Sequence, residues 1–383
     1  MTSDSVSTEQ GEPDPDLNPQ PGAMPEPTQA DLDRRRRNRR WWGIAIFAAV
    51  AAAIVAAMFL IRLPYYVVQP GSVRPSEQRI QISGTKSFET PGKVMFTTVY
   101  INQASPALMV RYWLDSSFEL HTRAEMYPDG DRVASQRQNV ALMDASKVLA
   151  TKVALSEVGI PAEFSGNGAI VVGLVKGSPS EGILEPGDRI TEVDGGAVSL
   201  PSDIGDELAD RKPGDVVSVV VVRPSRSDPE KPSRKNLKVE LGASEKEPAR
   251  PVFGIQVEPS GLKVVSDVDV DVDSGTVTGP SAGLAWTLAI IDRLTPGSLT
   301  DGRNVAVTGE IFADGTVGPI GGVEQKVSAV KRAGIKVFIY PSATPKDEQK
   351  AMREVAGKNV KLYPVANIEE AVKVLAPNGL GTP

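Results

Sequence analysis

Gly279-Pro280-Ser281-Ala282-Gly283 runs without a break into Leu284-Ala285-Trp286-Thr287-Leu288-Ala289-Ile290-Ile291. An apolar run of this length predicts a helix, Ala282–Leu294, in a mixed α/β domain. Ser281 stands at its start, where backbone N–H groups lack partners and the helix dipole is positive. The plain reading is an N-cap serine worth about 1 kcal/mol. The chemical reading is a nucleophile held where negative charge is stabilised.

The five residues also fit the G-x-S-x-G elbow of hydrolases that use serine and histidine. That arrangement needs a histidine later in the chain. The sequence of 383 residues holds one histidine, His121, far upstream, so a histidine-dependent esterase is excluded. A different base is on offer after Gly321-Gly322. There Val323, Lys326, Val327, Val330 and Ala333 share one helical face, while Glu324, Gln325, Ser328, Lys331 and Arg332 fall mostly elsewhere. Lys326 takes a slot that periodicity assigns to the interior. Burial disfavours the ammonium form and frees an amine near neutral pH. The alternative is a lysine whose stem covers apolar surface while its head reaches water.

Around these two residues stand Thr308-Gly309-Glu310, Gly318-Pro319-Ile320-Gly321-Gly322-Val323-Glu324-Gln325-Lys326 and Ala333-Gly334-Ile335. Taken in order with GPSAG, they resemble the proteolytic domain of Lon-type proteases from about Gly275 to Pro341. The resemblance implies Ser281 as nucleophile and Lys326 as base, with Gly279 and Thr308 in support, Thr308 holding the lysine. One departure is Thr278, where ATP-dependent Lon proteases carry an acidic residue. No G-x-x-x-x-G-K-[ST] phosphate loop occurs, so no ATPase motor is expected. No cofactor or metal is expected either. Cysteine is absent, which removes thiol nucleophiles and thiolate metal sites. Asp267, Asp269, Asp271 and Asp273 alternate with valines, the pattern of a strand with one wet face rather than a calcium loop.

Residues 159–245 differ in texture. Short valine-rich strands alternate with turns, and Ser178-Pro179-Ser180-Glu181-Gly182 precedes Leu184-Glu185-Pro186-Gly187-Asp188-Arg189-Ile190-Thr191-Glu192-Val193-Asp194-Gly195. This resembles PDZ domains of exported bacterial proteases, implying a groove that takes an extended peptide or a C-terminus by strand addition. Ile204 and Leu208, on a helix Ser202–Asp210, would line it, with a carboxylate-gripping glycine loop near Gly159–Gly168. Residues 225–236 read as a long loop.

Trp41–Ile61 carries no charge over twenty-one residues, about 30 Å of helix, and predicts a transmembrane span. Six arginines within Arg34–Arg40 set the N-terminus on the cytoplasmic side and the rest outside. Residues 1–40 read as a disordered tail and 64–158 as a juxtamembrane stalk or docking region. Within it, strands are predicted at Arg79–Ser83, Val94–Ile101 and Val110–Leu120. A helix over 140–157 presents Leu142, Ala145, Leu149 and Val153. Net charge is −6, which argues against nucleic acid as a partner.

The expected architecture is multidomain. It comprises a tail (1–40), a single N-terminal transmembrane helix (41–63), a β-rich juxtamembrane region (64–158), a PDZ-like β domain (159–245) and a C-terminal α/β Lon-type domain (248–383). The full order resembles bacterial membrane-bound PDZ–Lon proteases. That resemblance implies an ATP-independent serine endopeptidase in the cell membrane, cutting unfolded or membrane-associated proteins outside. The competing reading is a catalytically silent, membrane-tethered PDZ adaptor. Whether the chain forms a homo-oligomer is left open.

Overall fold

The computed structural model describes residues 29–128, 131–225 and 231–377. The chain divides into two units, Met1–Arg62 with Ser105–Ala107, and Leu63–Ala104 with Leu108–Pro383. In the first, helix α1 spans Gln29–Leu60. Its stretch Arg36–Leu60 has a mean hydropathy of 2.6 and is long and apolar enough to cross a membrane. The tail expected to reach residue 40 is therefore helical from Gln29. No proline or glycine lies between Gln29 and Trp42 to stop the apolar helix from propagating backwards. Residues 1–28 of that expected tail lie outside the described residues.

The remaining helices are α2 (Pro106–Leu114), α3 (Arg123–Met126), α4 (Arg132–Glu157), α5 (Pro201–Glu207), α6 (Gly283–Leu294), α7 (Val323–Arg332), α8 (Lys346–Ala356) and α9 (Ile368–Leu375). The second unit is built on a mixed sheet in the order Lys361–Val365, Val337–Pro341, Asn304–Val307, Lys93–Gln103, Tyr65–Pro75, Glu119–Thr122. The first four strands run parallel and the last two add on antiparallel. Period-two alternation divides the core. Val94, Phe96, Val305, Val307, Val337 and Ile339 face α4, α6 and α9, whereas Ala306, Phe338 and Tyr340 face α7 and α8.

Half of this sheet comes from the segment read as a separate stalk. Asn304 to Val307 pair in register with Lys93 to Phe96, and α4 packs along α6. Apart from Ser105–Ala107, the described residues of 64–158 are thus part of the same unit as Ser281, a pairing between distant segments that local pattern does not reveal. Within them, Val110–Leu120 is not a strand. Pro106 opens α2, its fixed φ and missing N–H suiting a first turn. Asp115 then turns the chain by accepting from the Ser117 N–H and hydroxyl, and only Glu119–Thr122 is extended. Helix α4 begins before residue 140 because the Asp131 carboxylate caps the N–H groups of Val133 and Ala134. Its buried seam includes Met143, Ser146, Ala150, Val153 and Ala154, while Leu142 is exposed.

A smaller β module has the strand order Ser233–Glu240, Val216–Arg223, Arg189–Val193, Ala169–Leu174, Ile255–Pro259, with its own valine-rich core. Ser233–Glu240 pairs along its length with Val216–Arg223, so the loop expected over 225–236 is partly strand; residues 226–230 lie outside the described residues. Ile255–Pro259, expected in the C-terminal domain, pairs with Ala169–Leu174 instead. The module is an insertion, entered at Glu163–Ser165 and left at Lys263–Val265, which pair antiparallel. Asp269–Val272 pairs with Ile80–Ser83. Val268 and Val272 are buried there and the four aspartates exposed, as their alternation predicts.

Candidate active site

Ser281 lies in a single turn, Pro280–Ala282, that feeds α6. The turn is fixed from two sides. Gly279, at φ +88°, donates its N–H to the Asn139 carbonyl at 2.8 Å, and Ser146 Oγ donates to the Pro280 carbonyl at 3.1 Å. From the sheet side, the Ser281 carbonyl accepts from the Gly309 N–H at 2.9 Å and from Thr308 Oγ1 at 3.1 Å. Gly283 is required by space, since a Cβ there would lie 2.7 Å from Ser146 Oγ and 2.9 Å from Ile311 Cγ2.

Gly322, in the left-handed region at φ +67°, starts α7. Val323, Val327 and Val330 bind the helix to Ala306 and Phe338, and Lys326 shares that interior with 2% of its surface exposed. Its Nζ lies 3.0 Å from Ser281 Oγ and 3.0 Å from Thr308 Oγ1. The Thr308 hydroxyl gives its proton to the Ser281 carbonyl and so turns lone pairs toward the amine. Burial lowers the Lys326 pKa from 10.5 to about 7, and desolvation is the cause. Among the described residues no carboxylate offsets this desolvation, so a large fraction of the amine is neutral at pH 7. A neutral amine within hydrogen-bond reach of a hydroxyl can take its proton.

The structure therefore brings Ser281, Lys326 and Thr308 together, with Gly279 two residues ahead of the hydroxyl. Ser281, Lys326 and Gly279 open on a cleft of about 1060 Å³ whose wall includes Thr98 to Asn102, Glu119 and His121 from the segment read as a stalk or docking region. Sequence reasoning missed Asn139 and Ser146. Ser146 did carry a signal, a polar residue in an apolar helical seam, the same anomaly that marked Lys326. Gln325, expected to point away, is 2% exposed and lines the cleft. Among the described residues no His, Asp and Glu cluster is arranged for a metal ion.

In the β module, Ile204 and Leu208 are buried in its core and also line a groove of about 1380 Å³ beside Ile255 and Val257. The strand Ile255–Pro259 is the edge of its sheet, open to strand addition. The loop leading into it is Val252-Phe253-Gly254, with Gly254 at φ +71°. None of Gly159–Gly168 lines this groove, so the glycine loop expected there is misplaced. Val252, Phe253 and Gly254 line the groove instead.

The Lon protease (S16) C-terminal proteolytic domain matches residues 255–377, and a PDZ domain matches residues 154–241. The Lon protease of Elusimicrobium minutum is 40% identical over 116 residues, 30% of this chain and 14% of that protein. The Lon protease of Trichlorobacter lovleyi is 39% identical over 130 residues, 31% of this chain and 15% of its own length. The chain thus spans about one seventh of the length of these curated relatives. Among solved structures, the PDZ domain of an SdrC-like protein from Listeria monocytogenes is 25% identical. It covers 24% of this chain and 87% of that one, with a TM-score of 0.20. The chain carries a Lon-type serine-peptidase domain and, inserted within the same sheet-built unit, a PDZ domain. A proteolytic domain acts on protein substrates and a PDZ domain binds peptides.

Proposed function

We propose that this protein is a membrane-anchored, ATP-independent serine endopeptidase in which Lys326 is the general base for Ser281. The observation that carries the reading is the buried amine 3.0 Å from the hydroxyl, with its pKa brought to about 7. Neutral Lys326 takes the Ser281 proton as Oγ bonds to the peptide carbonyl carbon. Backbone N–H groups at the helix start, that of Ser281 among them, receive the oxyanion. The ammonium then gives its proton to the leaving amine as the C–N bond breaks, releasing one product and leaving an acyl-serine. Water, deprotonated by Lys326, hydrolyses the ester and restores the hydroxyl. Thr308 keeps the amine aimed at Oγ throughout, and Gly279 gives the loop the backbone turn it needs.

The helix α1 supports a single span, and the arginines before it support a cytoplasmic N-terminus with both domains outside. Without a phosphate loop there is no unfolding motor, so substrates are unfolded or flexible proteins, including membrane-associated ones. The PDZ groove, with Ile204 and Leu208 in its wall, takes a peptide or a C-terminus for recruitment or regulation. The test is cleavage of a casein-like unfolded substrate by the full chain in lipid nanodiscs without ATP. Wild type cuts, while Ser281→Ala and Lys326→Ala each lose at least about a thousandfold of the rate. Undiminished cutting by Ser281→Ala overturns the assignment.

A further inference from the structure

Beyond Ser281 the cleft is bounded by Glu119 on the sheet's edge strand, Glu324 and Gln325 at the start of α7, and Glu348 on α8. The charge of Glu119 acts on both Glu324 and Glu348. The charges acting on Glu324 are those of Glu119 and Glu354, and those acting on Glu348 are Asp347 and Glu119; all are negative and all raise its pKa after burial has done so. The basic side chains also lining the cleft are Arg74, His121 and Lys326. His121 lies 3.2 Å from Glu119, and Lys326 is engaged with Ser281 and Thr308.

A second observation is independent of the charges. Gln325 is almost fully buried, and its Nε2 donates to Glu119 Oε2 at 3.2 Å. That bond fixes the orientation of the amide, and its Oε1 is left buried with no hydrogen-bond partner among the described residues. An unpaired buried acceptor is costly unless a donor arrives. Gln325 lines the recess together with Glu119, Glu324 and Glu348, and a cationic group rich in N–H bound there would supply the missing donor.

We propose that Glu119, Glu324, Gln325 and Glu348 form a substrate subsite for a basic side chain, arginine best of all. A guanidinium offers several donors in one plane, enough to meet Gln325 Oε1 and a carboxylate together. The subsite makes the enzyme prefer unfolded segments that carry Arg or Lys at one fixed position relative to the cut. It rests on the proteolytic reading of the cleft for its consequence, but its binding chemistry does not require turnover.

The test therefore has two arms on the full chain in nanodiscs. In the first, a peptide containing arginine and its citrulline counterpart, which keeps the shape and loses the charge, are bound to the Ser281→Ala variant and followed by fluorescence anisotropy. The arginine peptide binds at least about tenfold tighter at low salt, and the ratio shrinks as salt is added. The Glu324→Gln/Glu348→Gln double variant, and separately Gln325→Leu, bring the ratio toward one. In the second arm, cut sites in an unfolded protein are mapped by mass spectrometry. Wild type shows Arg or Lys enriched at one position, and the double variant loses that enrichment. Equal affinity for the two peptides, or an enrichment that the variants leave intact, overturns the subsite. Arginine selectivity in binding without any cleavage would retain the subsite and remove the proteolytic reading, and cleavage without arginine selectivity would do the reverse.

Discussion

Replacing Lys326 with methionine separates what the lysine does for chemistry from what it does to stability. A fall in pKa from 10.5 to about 7 means the fold resists the charged form. At pH 7.5 that shift corresponds to about 4 kcal/mol of folding free energy forfeited. Methionine has similar bulk and fills the same slot with no charge to desolvate. It gives up the contacts to Ser281 and Thr308, about 1 kcal/mol each. Neither hydroxyl is orphaned by the change, because Thr308 still donates to the Ser281 carbonyl and Ser281 faces the cleft. The variant should be inert as a peptidase yet more stable by about 2 kcal/mol, a rise in thermal midpoint of about 4–8 °C. The pH dependence carries the diagnosis. Between pH 7 and 10.5 the unfolded amine holds its proton and the folded one does not, so wild-type stability climbs through that window. Lys326→Met should lack the climb, and its advantage should vanish near about pH 9 and reverse above it. Denaturant titrations of both proteins at a series of pH values measure this. A variant less stable than wild type at pH 7.5, or one with the same slope above pH 7, refutes the reasoning.

Other consequences concern the supports of the site. Ser146→Ala removes the hydroxyl that holds the Pro280 carbonyl and should lower kcat by about fivefold, with KM nearly unchanged, in steady-state peptide cleavage. Gly283→Ala drives a methyl into Ser146 and Ile311 and should cost about 1–3 kcal/mol in denaturant unfolding, with loss of activity. Glu77 is buried and its pKa is pushed up from 4.5 to about 7, chiefly by desolvation. The native state therefore holds a proton that the unfolded chain has released, and stability contributed below pH 4.5 is lost as pH rises to about 7. Glu77→Gln should flatten that part of the stability profile, as read from melting temperatures.

Much of the site was legible because its two main residues break the rule of their surroundings. Ser281 precedes a helix with no polar face, and Lys326 interrupts an apolar stripe whose neighbours Val323, Val327 and Val330 fix which way it points. The alternating aspartates around Val268 to Val272 were equally direct. What escaped was long-range pairing. Nothing local in Lys93–Gln103 says that it lies beside Asn304–Val307, and nothing in Glu163–Ser165 says that it closes a neck with Lys263–Val265. The insertion and the role of 64–158 were therefore invisible. The same cause hid the groove lined by Val252-Phe253-Gly254, since it exists only once Ile255–Pro259 is placed at a sheet edge. Gln325 was misjudged because helical periodicity assigns a face by angle, whereas here strands Tyr65–Pro75 and Lys93–Gln103 pack on α7 and Glu119 reaches Gln325 from the neighbouring edge strand.

The central claim is that one amine loses its proton near neutrality beside a serine. Heteronuclear NMR of nitrogen-labelled lysine in the full chain, with the Lys326 signal assigned by its disappearance in Lys326→Met, follows that proton directly. Titration of Lys326 near pH 7 is the result expected, and a Lys326 signal that stays charged until about pH 10 would contradict it.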